Sequence, residues 1–302
     1  MTASARYRAI RAYQRLRFLR ARLLGRRRAW HGVRILGYHS ISEGGTSLCV
    51  TPRAFRAQME AVAAGDLTPV RLSDALDLLA AGPVEDRLVA ITFDDGYLDN
   101  VEHAEPVLAE LGLPATVFLP TRIVDGSVGY HWFPESPPAL SWSDVAAAAT
   151  RGTLDFQSHT RSHPWLPELS DEAAGEEIAA SRSDLEARLG TVVTALAYPG
   201  GLYGSREERL VAEAGYRAGV STTPGVNSGG ETTLRRTLVY REDGGDVFAA
   251  KLAGLLDRPG IGRRIGYRRL GTFARGRPSA SDQRSSARRA RSTNDDDQRF
   301  SR

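Results

Sequence analysis

Short apolar runs rich in β-branched residues alternate with longer amphipathic stretches along most of this chain, and that alternation limits its fold more than any other feature. Strand-like runs stand at residues 33–39, 88–93, 115–119, 154–157, 195–198 and 216–220. Helical spacing begins at Thr51 and recurs at 73–81, 100–111, 143–150, 171–189 and 205–213. Strand and helix taken in turn predict an α/β fold with a parallel sheet, open or closed into a barrel. In such folds the residues just past the C-terminal ends of the strands line the site.

The chain has 302 residues, 41% hydrophobic, enough to bury the core of one full-sized catalytic domain. No apolar run approaches the ~18 to 20 residues of a membrane-spanning helix, so none is predicted. The single cysteine, Cys49, can form no internal disulfide and no cysteine-based zinc site, so any metal rests on histidines and carboxylates.

Charge divides the chain into three parts. Residues 1–34 carry 11 Arg and no acid, residues 35–257 carry a net −16, and residues 258–302 carry a net +9. The domain expected to do the chemistry is therefore acidic, and the overall basicity belongs to the ends, so nucleic-acid binding is not expected. Within residues 1–32, Ile10, Tyr13, Leu16, Phe18, Leu19, Leu23 and Leu24 recur near helical spacing among the arginines. A basic amphipathic helix of this kind suits an anionic membrane surface, and a solvated lead-in is the competing reading. Residues 33–257 form the expected catalytic domain, and the Arg- and Ser-rich stretch 258–302 is expected to be a disordered tail. The N-terminal stretch lacks an apolar signal core and a small-residue cleavage site, which predicts a cytoplasmic or peripheral-membrane location. A start codon placed too far downstream would instead allow an extracellular one.

Three clusters at predicted strand ends can carry chemistry. The run Val89-Ala90-Ile91-Thr92-Phe93 delivers Asp94, Asp95 and Gly96. Adjacent carboxylates repel unless a cation or a proton relieves them, which is one way to tune a base, although a plain turn also accounts for Asp-Asp-Gly. Next, Ser158-His159-Thr160-Arg161-Ser162-His163-Pro164 places two histidines four residues apart, a spacing that on a helical turn lets both reach one divalent ion. With one carboxylate of the Asp pair they would make a two-histidine, one-carboxylate site with positions open to water and substrate. Finally, Ala197-Tyr198-Pro199-Gly200-Gly201 offers a backbone N–H at Gly200 that a developing oxyanion could use.

These motifs, in this order and spacing, resemble those of the polysaccharide deacetylases, the NodB-like carbohydrate esterases of family 4. Gly37-Tyr38-His39-Ser40-Ile41, Ser141-Trp142-Ser143-Asp144 and Leu185-Glu186-Ala187-Arg188-Leu189-Gly190 extend the likeness over roughly residues 33 to 241. The resemblance implies a distorted (β/α)7 barrel and a metal-dependent hydrolase that removes N-acetyl groups from N-acetylglucosamine-type residues of a bacterial polysaccharide or glycolipid precursor. It implies that Asp95, His159 and His163 hold the metal, with zinc expected first and cobalt or nickel as alternatives. It makes Asp94 the general base and gives the oxyanion to Gly200.

Two departures from the family pattern stand out. No histidine follows His163, where many members carry a late catalytic one. In the branch that resembles the bacterial poly-N-acetylglucosamine deacetylases the acid comes from the early Tyr-His pair, here Tyr38-His39, so His39 is the expected acid. Ala197 stands where many members carry an arginine that orients the base, and Arg236 is expected to be a solvated charge rather than its replacement. Tyr97, Tyr198 and Trp132 are the expected sugar contacts, with Phe133, Trp142 and His131 as weaker candidates. The competing functional class is a sugar-binding barrel without catalysis, which would have no need of a base beside a metal.

Overall fold

The computed structural model describes residues 30–130, 132 and 137–257. The Arg-rich segment before Trp30, the tail 258–302, and His131 and Phe133 fall outside the described residues, and with them the expectations of an amphipathic helix and of a disordered tail.

Strand β1 (Gly32–Tyr38) leads through the two-residue strands β2 (Ser40–Ile41) and β3 (Cys49–Val50) to helix α1 (Pro52–Ala63). Then follow β4 (Thr68–Pro69), α2 (Leu72–Ala81), β5 (Arg87–Phe93) and a π-helical turn at Asn100–Ala104 that runs into α3 (Glu105–Glu110). After β6 (Ala115–Leu119) and the short α4 (Thr121–Val124) come α5 (Trp142–Arg151), β7 (Leu154–Ser158) and the long α6 (Asp171–Leu189). The chain continues with β8 (Ala195–Ala197), α7 (Ser205–Glu213), β9 (Ala218–Val220), β10 (Thr233–Leu234), β11 (Thr237–Leu238) and α8 (Gly245–Leu252).

Local chemistry sets these boundaries. Thr51 caps α1 by accepting from the Ala54 N–H, and Pro52 follows it at a position where no N–H is needed. Ser141 and Asp144 form a reciprocal capping box on α5, and Gly152 ends that helix in the left-handed conformation. Helix α6 starts on a Ser170 cap and stops at Gly190, again left-handed. Strands β1 and β5 are buried almost throughout, as central parallel strands covered on both faces must be.

The strands pair in parallel in the order β10-β9-β8-β7-β6-β5-β1-β11, and β4 shares the β5 flank with β6. The two ends of that order are neighbours in the chain, because only Arg235 and Arg236 lie between β10 and β11. The seventh barrel strand is thus split: β10 pairs with β9, β11 pairs with β1, and the step between them closes the distorted (β/α)7 barrel. The sequence pattern does not reveal this strand, since two residues on each side of a step are too few to show a period.

Alternation along the strands sorts side chains into two layers. Val33, Ile35, Leu88, Ala90, Phe118, Ala195, Ala197 and Val220 form one buried cluster. Leu36, Tyr38, Val89, Ile91, Phe93, Leu196 and Tyr198 belong to a second, which packs against Phe55 and Met59 of α1 and Ile178 and Leu185 of α6. The parity of β5 therefore places Asp94 with the first layer, after Ala90 and Thr92.

Candidate active site

The functional side chains meet at the C-terminal ends of β1, β5 and β7, with Arg236 joining them from the split seventh strand. The Nε2 atoms of His159 and His163 each lie 3.5 Å from Oδ1 of Asp95. One ligand atom from each of the three residues falls within 4.8 Å of the others. Tetrahedral ligands about 2.0–2.1 Å from a zinc-sized ion are separated by roughly 3.3 Å, so the cluster fits such an ion. His159 donates from Nδ1 to the Ala197 carbonyl at 2.8 Å, which fixes its tautomer and turns Nε2 toward Asp95. Asp95 is held well below the usual carboxylate range: burial pushes it up, but the hydrogen bond from His159 and the charges of His163 and His39 outweigh that.

The backbone bears the mark of this assembly. Among the described residues only three non-glycine residues have positive φ, namely Asp95 (73°), Thr160 (65°) and His163 (57°), and all three belong to the ligand motifs. Such conformations cost of order 1–3 kcal/mol each and persist only where the surroundings hold them. They correct one expectation, because the four-residue step from His159 to His163 is a loop with two left-handed residues and not a helical turn. The loop closes on itself through the His163 N–H, which donates to Thr160 Oγ1.

Asp94 faces the opposite partner. Arg236, fully buried, donates from Nη1 and Nη2 to its two carboxylate oxygens, both at 2.6 Å. The expectation that Arg236 is a solvated charge is therefore wrong. It also reaches Thr92 Oγ1 and the Ser221 carbonyl and lies over the Phe118 ring, filling the barrel interior beneath the site. Burial raises the Asp94 pKa, but Arg236 first, then His159 and His39, bring it below the ordinary carboxylate value. Arg236 thus supplies from the split strand the orienting arginine missing at Ala197.

His39 stands at the end of β1 with Nε2 3.8 Å from Asp94 Oδ2. Its Nδ1 is buried and makes no hydrogen bond among the described residues, so the ring is set through its backbone. Asn100 donates to the His39 carbonyl at 2.8 Å, while Asp99 accepts from the Ser40 hydroxyl and the Ile41 N–H. Burial lowers the His39 pKa, and Asp95 and Asp94 oppose that shift. Gly200 is exposed, with a left-handed φ of 62°.

The three expected sugar contacts separate. Trp132 is half-buried and lies on the His163 ring at a centroid distance of 4.0 Å, so it walls the Asp95-His159-His163 cluster. Tyr97 is 1% exposed and packs on Tyr130, whose hydroxyl donates to the Asp95 carbonyl; it backs the site instead of facing sugar. Tyr198 is also 1% exposed: it continues β8 with the parity of Leu196, points into the helix layer, stacks on Tyr203 and sits against Gly219. Trp142 opens α5 and takes Arg188 over its ring. An apolar cavity of about 730 Å³ between α1 and α8 is lined by none of the residues of the site, and the converging titratable groups, not that cavity, locate the chemistry.

Fold and site together define a (β/α)7-barrel hydrolase with a cation-sized Asp-His-His cluster beside a buried carboxylate. Residues 81–219 match the family model described as polysaccharide deacetylase. YxkH of Bacillus subtilis (strain 168) is 32% identical over 226 residues, 73% of this chain and 76% of that protein. The poly-beta-1,6-N-acetyl-D-glucosamine N-deacetylase of Staphylococcus epidermidis is 28% identical over 178 residues, 56% of this chain and 60% of its own. Among solved structures, IcaB from Ammonifex degensii aligns with a TM-score of 0.65 at 25% identity, covering 74% of this chain and 98% of that one. BC0361, a polysaccharide deacetylase from Bacillus cereus, aligns with a TM-score of 0.61 at 26% identity, covering 73% and 69%. The chain belongs to the polysaccharide deacetylase family, a family of hydrolases.

Proposed function

We propose that this protein removes N-acetyl groups from N-acetylglucosamine-type residues of a bacterial polysaccharide or its glycolipid precursor, with β-1,6-linked poly-N-acetylglucosamine as the leading substrate. The observation that carries the reading is the pairing of two sub-sites: an Asp95-His159-His163 cluster of ligand spacing, and next to it an Asp94 clamped by Arg236 with His39 3.8 Å away. The likeness to the Staphylococcus epidermidis deacetylase supports the sugar. A barrel that only binds sugar has no use for a buried carboxylate poised beside a metal cluster.

A divalent cation, zinc by preference for two imidazoles and a carboxylate, would be held by Asp95, His159 and His163 and would supply Lewis acidity and a lowered water pKa. Asp94 accepts the proton of the attacking water, and its clamp on Arg236 keeps it ionised and correctly turned. The Gly200 N–H donates to the oxygen that gains charge as the amide carbonyl is attacked. His39 then gives a proton to the departing amine, which cannot leave as an anion. Trp132 borders the cluster on the side where a sugar ring would lie.

We further propose that the Arg-rich residues 1–30 hold the enzyme to a membrane face of anionic lipid. Vesicle binding that weakens with salt and disappears on deleting those residues supports this; unchanged binding refutes it.

The deciding experiment measures acetate release from β-1,6-N-acetylglucosamine oligomers by metal-stripped protein, before and after zinc, alongside Asp94→Asn. Zinc-restored release that is absent in Asp94→Asn supports the reading. Stoichiometric zinc binding with no release from any N-acetylated sugar overturns it.

A further inference from the structure

Helix α6 carries only three large apolar residues, Ile178, Leu185 and Leu189, in its 19-residue length, yet its inner face is well occupied. Glu177, Ser181 and Asp184 follow one another at steps of four and three residues, so they share one face of the helix. Each meets the end of β7, the loop that follows it, or α4. Ser181 Oγ lies 2.6 Å from Ser158 Oγ, and Asp184 accepts from Thr121 Oγ1 and from Arg161 Nε.

Glu177 makes contacts of another kind, because it holds backbone. Its Oε2 accepts from the N–H groups of Arg161 and Ser162 at 2.9 and 2.8 Å, and its Oε1 accepts from the Ser162 hydroxyl at 2.6 Å. Two successive N–H groups converging on one anionic oxygen form a concave nest, and charge-assisted bonds of this length are the strong ones. The gripped residues lie between the two histidines and between the left-handed Thr160 and His163. The carboxylate therefore opposes the relaxation of both strained residues, and with it the departure of His163 from His159 and Asp95.

We propose that Glu177 is a positioning residue for the metal: it holds loop 159–163 in the form that presents both histidines, so that the affinity for the ion depends on a side chain that does not touch it. This rests on the metal reading of Asp95, His159 and His163 given above. Outer groups that orient ligands commonly contribute 10- to 100-fold in metal affinity.

The test is a zinc competition titration of the metal-free, full-length protein against a chromophoric chelator, for the unsubstituted chain and for Glu177→Ala, Glu177→Gln, Glu176→Gln and Asp184→Asn. Glu177→Ala is expected to weaken zinc binding about 10- to 100-fold. Glu177→Gln should fall between, because its carbonyl oxygen still accepts the two N–H groups without the charge. Among the described residues the exposed Glu176 reaches the Arg161 side chain at 3.3 Å and none of the loop backbone, so Glu176→Gln should leave the affinity unchanged. Asp184→Asn weakens the same helix-to-loop packing without freeing the loop backbone, so it should lower the melting temperature while keeping zinc affinity. Should Glu177→Ala fail to fold, Glu177→Gln carries the test. Affinities of both Glu177 variants within twofold of the unsubstituted protein overturn the role of Glu177, as does an equal loss in Asp184→Asn. Absence of zinc binding by the unsubstituted protein overturns the metal reading itself, and this inference with it.

Discussion

The Arg236–Asp94 pair yields the sharpest energetic prediction. Asp94 is 3% exposed and Arg236 fully buried, and the two contacts of 2.6 Å satisfy both carboxylate oxygens. Replacing Arg236 with Met leaves a carboxylate in the barrel interior without its counter-ion, a change that costs about 3–5 kcal/mol. For a domain of this size that is a fall in melting temperature of roughly 6–20 °C. Asp94→Asn strands the guanidinium in turn. The double variant Arg236→Met with Asp94→Asn removes both charges, so its loss should be smaller than the sum of the single losses by about 2–3 kcal/mol. The assay is urea denaturation of metal-free protein, which keeps cation binding out of the comparison. Both single variants should also lose acetate release. A loss below about 1 kcal/mol in Arg236→Met, or losses that add within about 0.5 kcal/mol, would refute the claim that this contact is a desolvated, mutually dependent pair.

Three further outcomes follow from the same structure. His39→Ala should bind zinc as the unsubstituted protein does but lose about 10²- to 10⁴-fold in turnover; a loss confined to KM would remove His39 as the acid. Asp155, half-buried beside Thr116, has its carboxyl pushed by burial from an ordinary 3.8 up to about 6. A raised folded-state pKa favours the fold below about pH 3.8 and loses that contribution as pH rises through 6. Asp155→Asn should therefore gain stability relative to the parent between pH 4 and pH 7, by up to about 3 kcal/mol in urea melts, and a pH-independent difference would count against it. A Cβ added at Gly219 would stand 2.2 Å from the Tyr198 hydroxyl, so Gly219→Ala should cost about 1–3 kcal/mol; an unchanged melting temperature would contradict the buried placement of Tyr198.

What the sequence discloses and what it hides follow one physical rule. Asp94 and Asp95 follow the strongly apolar β5, and His159 and His163 follow β7, where Leu154 and Phe156 alternate with polar residues, so the place of all four at strand ends can be inferred from local pattern. Arg236 cannot be found that way, because strands of two residues have no detectable period and its partner lies 142 residues earlier. The signal it does leave is indirect: a base without a local arginine needs a cation from elsewhere, and Arg236 lies close to the end of the barrel segment. Tyr198 shows the opposite failure. Its neighbours suggest a site, but strand parity counted from Ala195 and Ala197 sends its side chain to the helix layer. The left-handed residues at Thr160 and His163 carry no glycine to announce them, so a helical turn is the natural reading of the His-His spacing until the backbone is seen.

Closure of the barrel by a divided last strand imposes an order on the birth of the enzyme. A chain leaving the ribosome presents Asp95, His159 and His163 well before Arg236 emerges, and the long loop that joins Arg236 to Asp94 is among the slower ones to close. Such a nascent domain can gather its cation ligands while its base still lacks a counter-ion. Translation thus makes the residues of the Asp95-His159-His163 cluster available before the residue that pairs with the buried Asp94, and that pairing waits on the few residues that seal the seam.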